Sequence, residues 1–274
     1  MTFEITSFAK SFRLQYSTVK FKIRKFFMIE KIPVSEIIAK CDELFNAGRG
    51  AENGEYLVSW QHKAQKAGDF SGELSVVNEL IGFYRMNKMA VPGITAVSRA
   101  QELILKTGIS GTVSCGTILL NCASAMHSFG KIDEAKELFD LSYECYAKNL
   151  PPDDLLFAGL LNNMSSIYAE KGDFYSACAC CKEAGDILQK EHKIMDLAVS
   201  LVNLAQIHLQ FEPDSPELPG IFDRAMACFD SADVPLDGYY AHTCTKCAGV
   251  FGAAGRIDDE KELLRRAEVI YECH

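Results

Sequence analysis

The sequence repeats a helix–turn–helix pattern about every forty residues. Gly130 and Gly172, each at the centre of a turn, lie 42 residues apart, and Gly255 follows 83 residues later, close to two further periods. A fixed period in this range is typical of stacked supersecondary units, none of which buries its apolar face alone. The turns are predicted at Asn87-Lys88, Phe129-Gly130-Lys131, Lys171-Gly172-Asp173, Phe211-Glu212-Pro213-Asp214 and Ala254-Gly255-Arg256.

Apolar residues spaced three and four apart flank each turn, which predicts two amphipathic helices per repeat. In the clearest repeat, Gly172 supplies the turn and Asp173 is a suitable N-cap for the second helix. The predicted core of that repeat is Leu161, Met164, Ser165, Tyr168, Phe174, Ala177, Cys181 and Ala184. No segment alternates with period two, so the sequence predicts an all-α fold of about six helical hairpins over residues 34–274.

The other repeats follow the same register. Three prolines between the helices of the fifth repeat predict a shortened or delayed second helix. The predicted core positions are Ile38, Cys41, Phe45 and Trp60 in the first repeat; Val77, Leu80, Ile81, Tyr84, Val97 and Ala100 in the second; Leu119, Cys122, Ala123, Met126, Ile132, Ala135 and Phe139 in the third; Leu201, Leu204, Ala205, His208, Leu218, Phe222 and Ala225 in the fifth; and Cys244, Cys247, Ala248, Phe251, Ile257, Leu264 and Ala267 in the last.

Residues 1–33 differ from the rest and are predicted to be an N-terminal extension to a repeat domain over 34–274. This segment is basic and rich in phenylalanine, and it has neither the apolar core nor the cleavage site of a secretory signal. Three interpretations stay open. It is an extension or upstream translated segment with Met28 as an alternative start, a basic amphipathic helix that binds a surface, or a segment packed on the first repeat.

Composition excludes several classes of function. Apolar residues make up 48% of the chain, so bulk disorder is excluded, and the net charge of −9 does not favour nucleic acid or anionic lipid. No apolar run reaches the ~18 residues that span a bilayer. Phosphate-binding loops, zinc-protease motifs and nucleophile elbows are absent from the sequence. We therefore expect that the protein is not an enzyme and binds no cofactor.

The eleven cysteines are expected to be reduced core residues of a cytoplasmic protein. Cys244-x-x-Cys247, with His242 and Cys273-His274, is the one group with ligand-like spacing. A single pair is a weak zinc signal, and in the repeat register these two cysteines replace the core residues Leu161 and Met164. We therefore predict no metal site.

The repeat resembles the tetratricopeptide repeat family. The resemblance rests on a Leu/Cys-x-x-Leu-Ala/Ser-x-x-Tyr stripe, a Gly turn and an Ala-x-x-x-Phe-x-x-Ala stripe, and it is strong over 110–274 and weaker over 34–109. The 42-residue length and the segment from Leu161 to Phe174 are similar to the repeats of kinesin light chains. The resemblance implies an α-solenoid with a right-handed superhelix; another helix-pair solenoid such as HEAT is the alternative.

The resemblance also implies a binding groove lined by the first helix of each repeat. In the family, the residue before the mid-helix Leu faces this groove, and Asn at that position grips a peptide backbone. Here the position holds Asn121, Asn163 and Asn203 in three successive repeats. An amide can both donate and accept, so such a row can hold an extended peptide. The alternative is an ordinary solvated face or a hydrogen bond between helices.

Other residues face the groove in the same register. Glu79 and Lys246 break the row of asparagines in the second and last repeats. A basic clamp for acidic tails would need two or more cations here, and only Arg85 and Lys246 qualify, far apart in the stack. The further groove residues predicted in this way are Ser124, His127, Asn162, Ser166, Gln206 and Gln210.

Two functions are consistent with these features. The first is a protein-interaction scaffold that binds an extended peptide or partner segment. The second is a regulator that senses a signalling peptide, as in the bacterial helical-repeat proteins, and acts through protein contacts. The sequence assigns neither a partner nor an oligomeric state.

Overall fold

The computed structural model describes residues 30–47 and 49–272, and within them it contains α-helices, one 3₁₀ turn and no β-strand. The predicted all-α fold of six helical hairpins is confirmed. The helices are α1 (Val34–Asn46), α2 (Asn53–Ala67), α3 (Phe70–Met86), α4 (Ala90–Thr107), α5 (Val113–Ser128), α6 (Ile132–Asn149), α7 (Leu155–Glu170), α8 (Phe174–Lys190), α9 (Ile194–Phe211), α10 (Leu218–Phe229), α11 (Gly238–Ala253) and α12 (Ile257–Glu272), with the 3₁₀ turn at Gly50–Glu52 between α1 and α2.

Left-handed backbone geometry closes most of the predicted turns. Gly130, Gly172 and Gly255 have φ of +74°, +78° and +77°, and glycine adopts this region without a steric penalty. Lys88 takes the same conformation, with φ of +54°, in the turn of the second hairpin. Asp173 is the N-cap of α8, where its Oδ1 accepts a hydrogen bond from the Ser176 backbone N–H at 3.1 Å, as predicted.

The chain divides into two compact units after Gly108, and each is described by itself. Unit 1 contains α1–α4, and its central helix is α3, which packs along both α2 and α4. In α1, the prediction of Cys41 as a core residue was right, but at the two ends of the stripe the buried residue is the one before the predicted residue. Ile37 and Leu44 are buried beside Cys41, whereas Ile38 is half-buried and Phe45 is 60% exposed. Because α1 packs weakly on its neighbours, the sequence stripe alone did not determine its rotation.

A buried ion pair joins α3 to α4 in unit 1. The Glu73 side chain is 0% exposed, and Arg99 donates to it through Nε at 2.7 Å and Nη2 at 2.8 Å. Gln65 of α2 also donates to Glu73, at 2.8 Å. Burial alone would raise the pKa of Glu73, but the hydrogen bonds from Arg99 and Gln65 hold it below its ordinary value. The carboxylate is therefore charged and paired inside the unit.

Unit 2 contains α5–α12, and each first helix also lies beside the first helix of the next hairpin. One continuous set of buried apolar residues runs from Ala169 in α7 to Ala267 in α12. Phe222 and Phe251 meet near its centre, with ring centroids 4.9 Å apart. In the last hairpin, Leu263 is fully buried, and the prediction of Leu264 as a core residue was wrong, since that side chain is 44% exposed.

The predicted core position of Ile257 was also wrong, because this side chain is 45% exposed at the start of α12. It is the first residue of that helix and does not belong to the buried set of unit 2 or to the apolar side chains packed against it. The remaining core predictions of unit 2 were confirmed as buried or half-buried positions, including His208, which is 4% exposed.

The first hairpin of unit 2 brings α5 and α6 unusually close together. At Gly116, a Cβ atom would lie 2.7 Å from the Tyr146 ring and 3.0 Å from the Cys145 side chain. Ser142 donates to the Gly116 carbonyl at 2.8 Å, and the Tyr146 hydroxyl lies 3.0 Å from that of Thr117. Glycine at position 116 is thus required for the contact between the two helices.

Helix α9 is long and apolar enough to cross a membrane by length and composition, and it is the single helix of the described residues with this property. Half of it is buried by the helices around it, α7, α8, α10 and α11. Its apolar character is that of a central core helix of the stack.

Candidate functional site

A cavity of about 370 Å³ lies on the first-helix side of unit 2. We call it the α7–α11 cavity, because α7, α9 and α11 supply most of its lining. Its apolar lining residues are Leu155, Ala158, Leu188 and Val199, its polar ones are Asn162, Lys193, Asp196, Tyr239 and Lys246, and Gly159 completes the lining. A Cβ at Gly159 would meet nothing within 4 Å, so a ligand has open access to the helix backbone there.

Two of the predicted binding residues, Asn162 and Lys246, line this cavity directly. Asn163 lies one helical turn after the lining residue Gly159, and Asn203 one turn after the lining residue Val199. Residues four apart share a helix face, so the register extends the cavity surface toward both asparagines. Asn163, Asn203 and Asn121 are half-buried, and Gln206, one turn beyond Asn203, is exposed.

The asparagines differ in how far their amides are already engaged. Asn162 donates to the Ser200 hydroxyl at 2.7 Å and accepts from it at 3.0 Å, which joins α7 to α9. Asn163 donates to the Gly159 carbonyl of its own helix at 2.9 Å. The carbonyl oxygen of the Asn163 side chain has no hydrogen bond among the described residues, so it remains able to accept one from a ligand.

The cavity contains residues that the sequence analysis missed. Lys193, the N-cap of α9, adds a second cation beside Lys246, and neither forms an ion pair within the described part of the chain. The Tyr239 hydroxyl donates to Asp196, and burial together with this carboxylate raises the pKa of Tyr239. Lys193 lies outside the mid-helix register, so the repeat pattern could not have pointed to it.

The other predicted groove residues have separate environments. Arg85 is exposed on α3 in unit 1 and does not line the α7–α11 cavity. The imidazole Nε2 of His127 on α5 lies 2.6 Å from a carboxylate oxygen of Glu170 on α7. Ser124 donates to the Leu120 carbonyl of its own helix at 2.8 Å.

Ten cysteines lie in the described residues, and all are buried free thiols. Cys244 and Cys247 are 0% and 1% exposed in the core of the last hairpin, as predicted. Burial raises the pKa of Cys247 to about 12 and that of Cys244 to about 11. No group of three possible metal ligands occurs in this part of the chain, and Cys273-His274 lies outside it.

We expect these ten thiols to react slowly in the native protein. All ten are buried, so the reagent reaches them only when the structure opens locally. At Cys244 and Cys247 burial also raises the pKa and so lowers the fraction of the reactive thiolate. In a Cys273→Ser variant, Ellman's reagent at pH 8 should therefore label the folded chain at least about tenfold more slowly than the chain in guanidinium. Rapid labelling of two or more thiols in the folded chain would contradict the burial described here.

No protein-family model and no curated protein sequence matches the chain. Several solved structures are similar to it. The apo form of RapI matches over 98% of this chain and 92% of its own, with a TM-score of 0.62 and 11% identity. A putative kinesin light chain with nearly identical TPR-like repeats from Podosopora anserina matches over 72% of this chain and 94% of its own, with a TM-score of 0.55 and 18% identity.

These matches show a fold and no more, since the identities are low. The fold is an all-α solenoid of the tetratricopeptide type, as the repeat period and the Gly turns predicted. Stacking of the hairpins in this architecture leaves a long row of first helices along one surface.

Proposed function

We propose that this protein is an interaction scaffold that binds an extended peptide or partner segment along the first helices of unit 2. One observation carries the proposal. The α7–α11 cavity is lined by three successive first helices and contains Lys246, which occupies the register position of Asn121, Asn163 and Asn203. A ligand in this cavity therefore lies at one end of the row of asparagines.

The chemistry of the cavity suits a peptide. Gly159 leaves room for a backbone to approach, Asn163 offers an amide oxygen to a peptide N–H, and the apolar wall accommodates a side chain. Among the described lining residues the Tyr239 hydroxyl is bonded to the Asp196 carboxylate, but the pKa of Tyr239 is raised, and no serine, cysteine or histidine lines the cavity. We infer that the protein is not an enzyme and takes no cofactor. The ten free thiols of the described residues suit a reducing compartment, and the cytoplasm is the location we propose.

The substitution Asn163→Ala tests the proposal. Peptides would first be selected from a display library of random dodecamers on the immobilised full chain, and their affinity measured by fluorescence polarisation. Loss of one amide hydrogen bond costs about 0.5–1.5 kcal/mol, so affinity should fall about twofold to thirteenfold. The free energy of unfolding should change by less than about 0.5 kcal/mol, as at an ordinary surface position.

Two control variants make this test specific. Asn162→Ala removes both hydrogen bonds to the buried Ser200 hydroxyl and should instead destabilise the fold, by about 1–2 kcal/mol. Tyr175→Ala changes a side chain that is 82% exposed on the second helix α8 and should alter neither property. If Asn163→Ala leaves the affinity of every selected peptide unchanged, or Tyr175→Ala lowers it equally, the proposed groove is wrong.

A further inference from the structure

Unit 1 contains a separate cavity of about 420 Å³, which we call the α1–α3 cavity. It lies between the C-terminal half of α1, the 3₁₀ turn, the start of α2 and the second half of α3. Its walls combine two carboxylates, Asp42 and Glu79, with exposed apolar side chains, of which Phe45 and Met86 are 60% and 65% exposed. The remaining lining residues are Cys41, Gly50, Asn53, Leu57, Gly82, Phe83 and Asn87.

No lysine or arginine lines this cavity, and within the described residues neither carboxylate forms an ion pair. Glu79 is hydrogen-bonded to the neutral amide of Asn78. Burial, and then the charge of Asp42, raise the pKa of Glu79, and burial with the same two carboxylates raises the pKa of the Cys41 thiol. The cavity thus carries two carboxylates, the exposed Asp42 and the half-buried Glu79, and no described lysine or arginine among its lining residues.

A buried hydrogen-bond acceptor near this cavity has no donor among the described residues. The Asn53 amide donates to the Cys41 carbonyl at 3.2 Å, but its own oxygen, Oδ1, is buried and has no partner among the described residues. Nearly all buried polar atoms are hydrogen-bonded, so this oxygen adds a further acceptor to the polar side of the cavity. Two carboxylates beside an apolar rim suit a cationic group on an apolar stem, as lysine and arginine provide.

We propose that the α1–α3 cavity binds the basic, phenylalanine-rich segment of this same chain, residues 1–29. That segment carries six lysines and arginines against Glu4 alone, a net charge of +5, which leaves −14 on the rest of the chain. Its phenylalanines match the exposed Phe45 and Met86 of the rim. Its basic residues are Lys10, Arg13, Lys20, Lys22, Arg24 and Lys25, and its phenylalanines are Phe3, Phe8, Phe12, Phe21, Phe26 and Phe27.

The tether is long enough and raises the local concentration of the segment. The Ile32 backbone N–H donates to Asp69 at 3.0 Å, which places this part of the chain at the N-terminal end of α3. From Asp69 to Glu79 is about 15 Å along the helix, at roughly 1.5 Å per residue. Twenty-nine residues span more than that in any regular conformation, and an attached ligand acts at an effective concentration in the millimolar range.

Carbodiimide coupling of the full-length chain tests the proposal, because it joins lysine ammonium groups to carboxylates in direct contact. After proteolysis, mass spectrometry should find Lys20, Lys22 or Lys25 joined to Asp42 or Glu79 within one chain. The exposed ion pair of Lys190 with Asp153 is the internal positive control. Links from Lys190 without any from residues 1–29 to the cavity would refute the proposal, and so would cavity links found only between two chains.

Variants of the full chain give an independent measurement. Trypsin should cleave after residues 20–25 at least about fivefold faster in the Asp42→Asn, Glu79→Gln double variant than in the wild type. In 0.5 M salt, the wild type should be cleaved as fast as the double variant. Both substitutions keep the side-chain shape. A thermal unfolding curve, followed by Trp60 fluorescence, that matches the wild-type curve would verify that unit 1 is folded. The control Glu55→Gln, at an exposed position on α2 outside the cavity, should leave cleavage unchanged. Equal cleavage rates in all three proteins would overturn the proposal.

Discussion

Replacing Arg99 with methionine should lower the free energy of unfolding of unit 1 by about 3–5 kcal/mol, the cost of leaving one partner of a buried pair uncompensated. The Glu73 carboxylate would keep only Gln65 as a donor, at a position with no exposed side-chain surface. Trp60, the single tryptophan of the sequence, lies in α2 of unit 1, so its fluorescence during urea unfolding reports on this unit.

The pH dependence should change sign as well. In the wild type, the pKa of Glu73 is lowered by folding, so its stabilising contribution is present above the ordinary carboxyl pKa and is lost as the pH falls below it. In Arg99→Met, burial dominates and raises that pKa, so protonation should stabilise unit 1 as the pH falls from 7 toward 5. A variant whose stability declines with acid like the wild type would contradict this account.

Arg49→Met is the matched control for this experiment. Arg49 also bonds a glutamate through two nitrogens, with Glu52 at 2.6 and 2.7 Å, but both side chains are more than half exposed. Exposed pairs contribute little to stability because water screens them, so Arg49→Met should change the free energy of unfolding far less than Arg99→Met. A comparable loss in both variants would mean that burial of Glu73 does not determine the effect.

Replacing Gly116 with alanine should destabilise unit 2 by about 1–3 kcal/mol, although alanine favours a helix interior over glycine by about 1 kcal/mol. The added methyl group would lie 2.7 Å from the Tyr146 ring, so α5 and α6 must separate. That movement also weakens the hydrogen bond from Ser142 to the Gly116 carbonyl. Urea unfolding followed by circular dichroism measures the change.

Gly249→Ala in α11 is the corresponding control. It is also a mid-helix glycine of unit 2, but a Cβ there would meet nothing within 4 Å. This variant should be as stable as the wild type or up to about 1 kcal/mol more stable. If Gly116→Ala behaves in the same way, the close contact between α5 and α6 is wrong.

The fold was predictable because its strongest signals are local. A glycine at positive φ and an aspartate N-cap depend on a few neighbouring residues, and Gly172 with Asp173 adopts this geometry. The fifth repeat, which has prolines where others have glycine, was predicted to have a delayed or shortened second helix, and α10 indeed begins only at Leu218 and has 12 residues. Periodicity failed for Phe45 and Leu264, where an apolar residue lies at the edge of a stripe and packing decides which neighbour is buried.

The candidate site was less predictable, because its geometry depends on contacts between repeats. The repeat register pointed to Asn162 and Lys246, which line the α7–α11 cavity, but the pairing of Asn162 with Ser200 joins residues 38 positions apart. Lys193 and Tyr239 reach the cavity only through the stacking of α9 and α11. The binding roles of Asn121, Asn163, Asn203, Gln206, Arg85 and Lys246 stay predictions until a ligand is tested.

The continuous core of unit 2 affects how this protein could gain or lose repeats. Buried residues run without interruption from α7 to α12, and Phe222 of one hairpin packs on Phe251 of the next. Deleting the last hairpin would uncover Phe222, Phe229 and their neighbours and leave an apolar end that favours aggregation. Shortening of this array in evolution would therefore require new polar residues on the newly exposed helix at the same time. Duplication of an internal hairpin would need no such change, because the apolar faces of the two copies would cover each other.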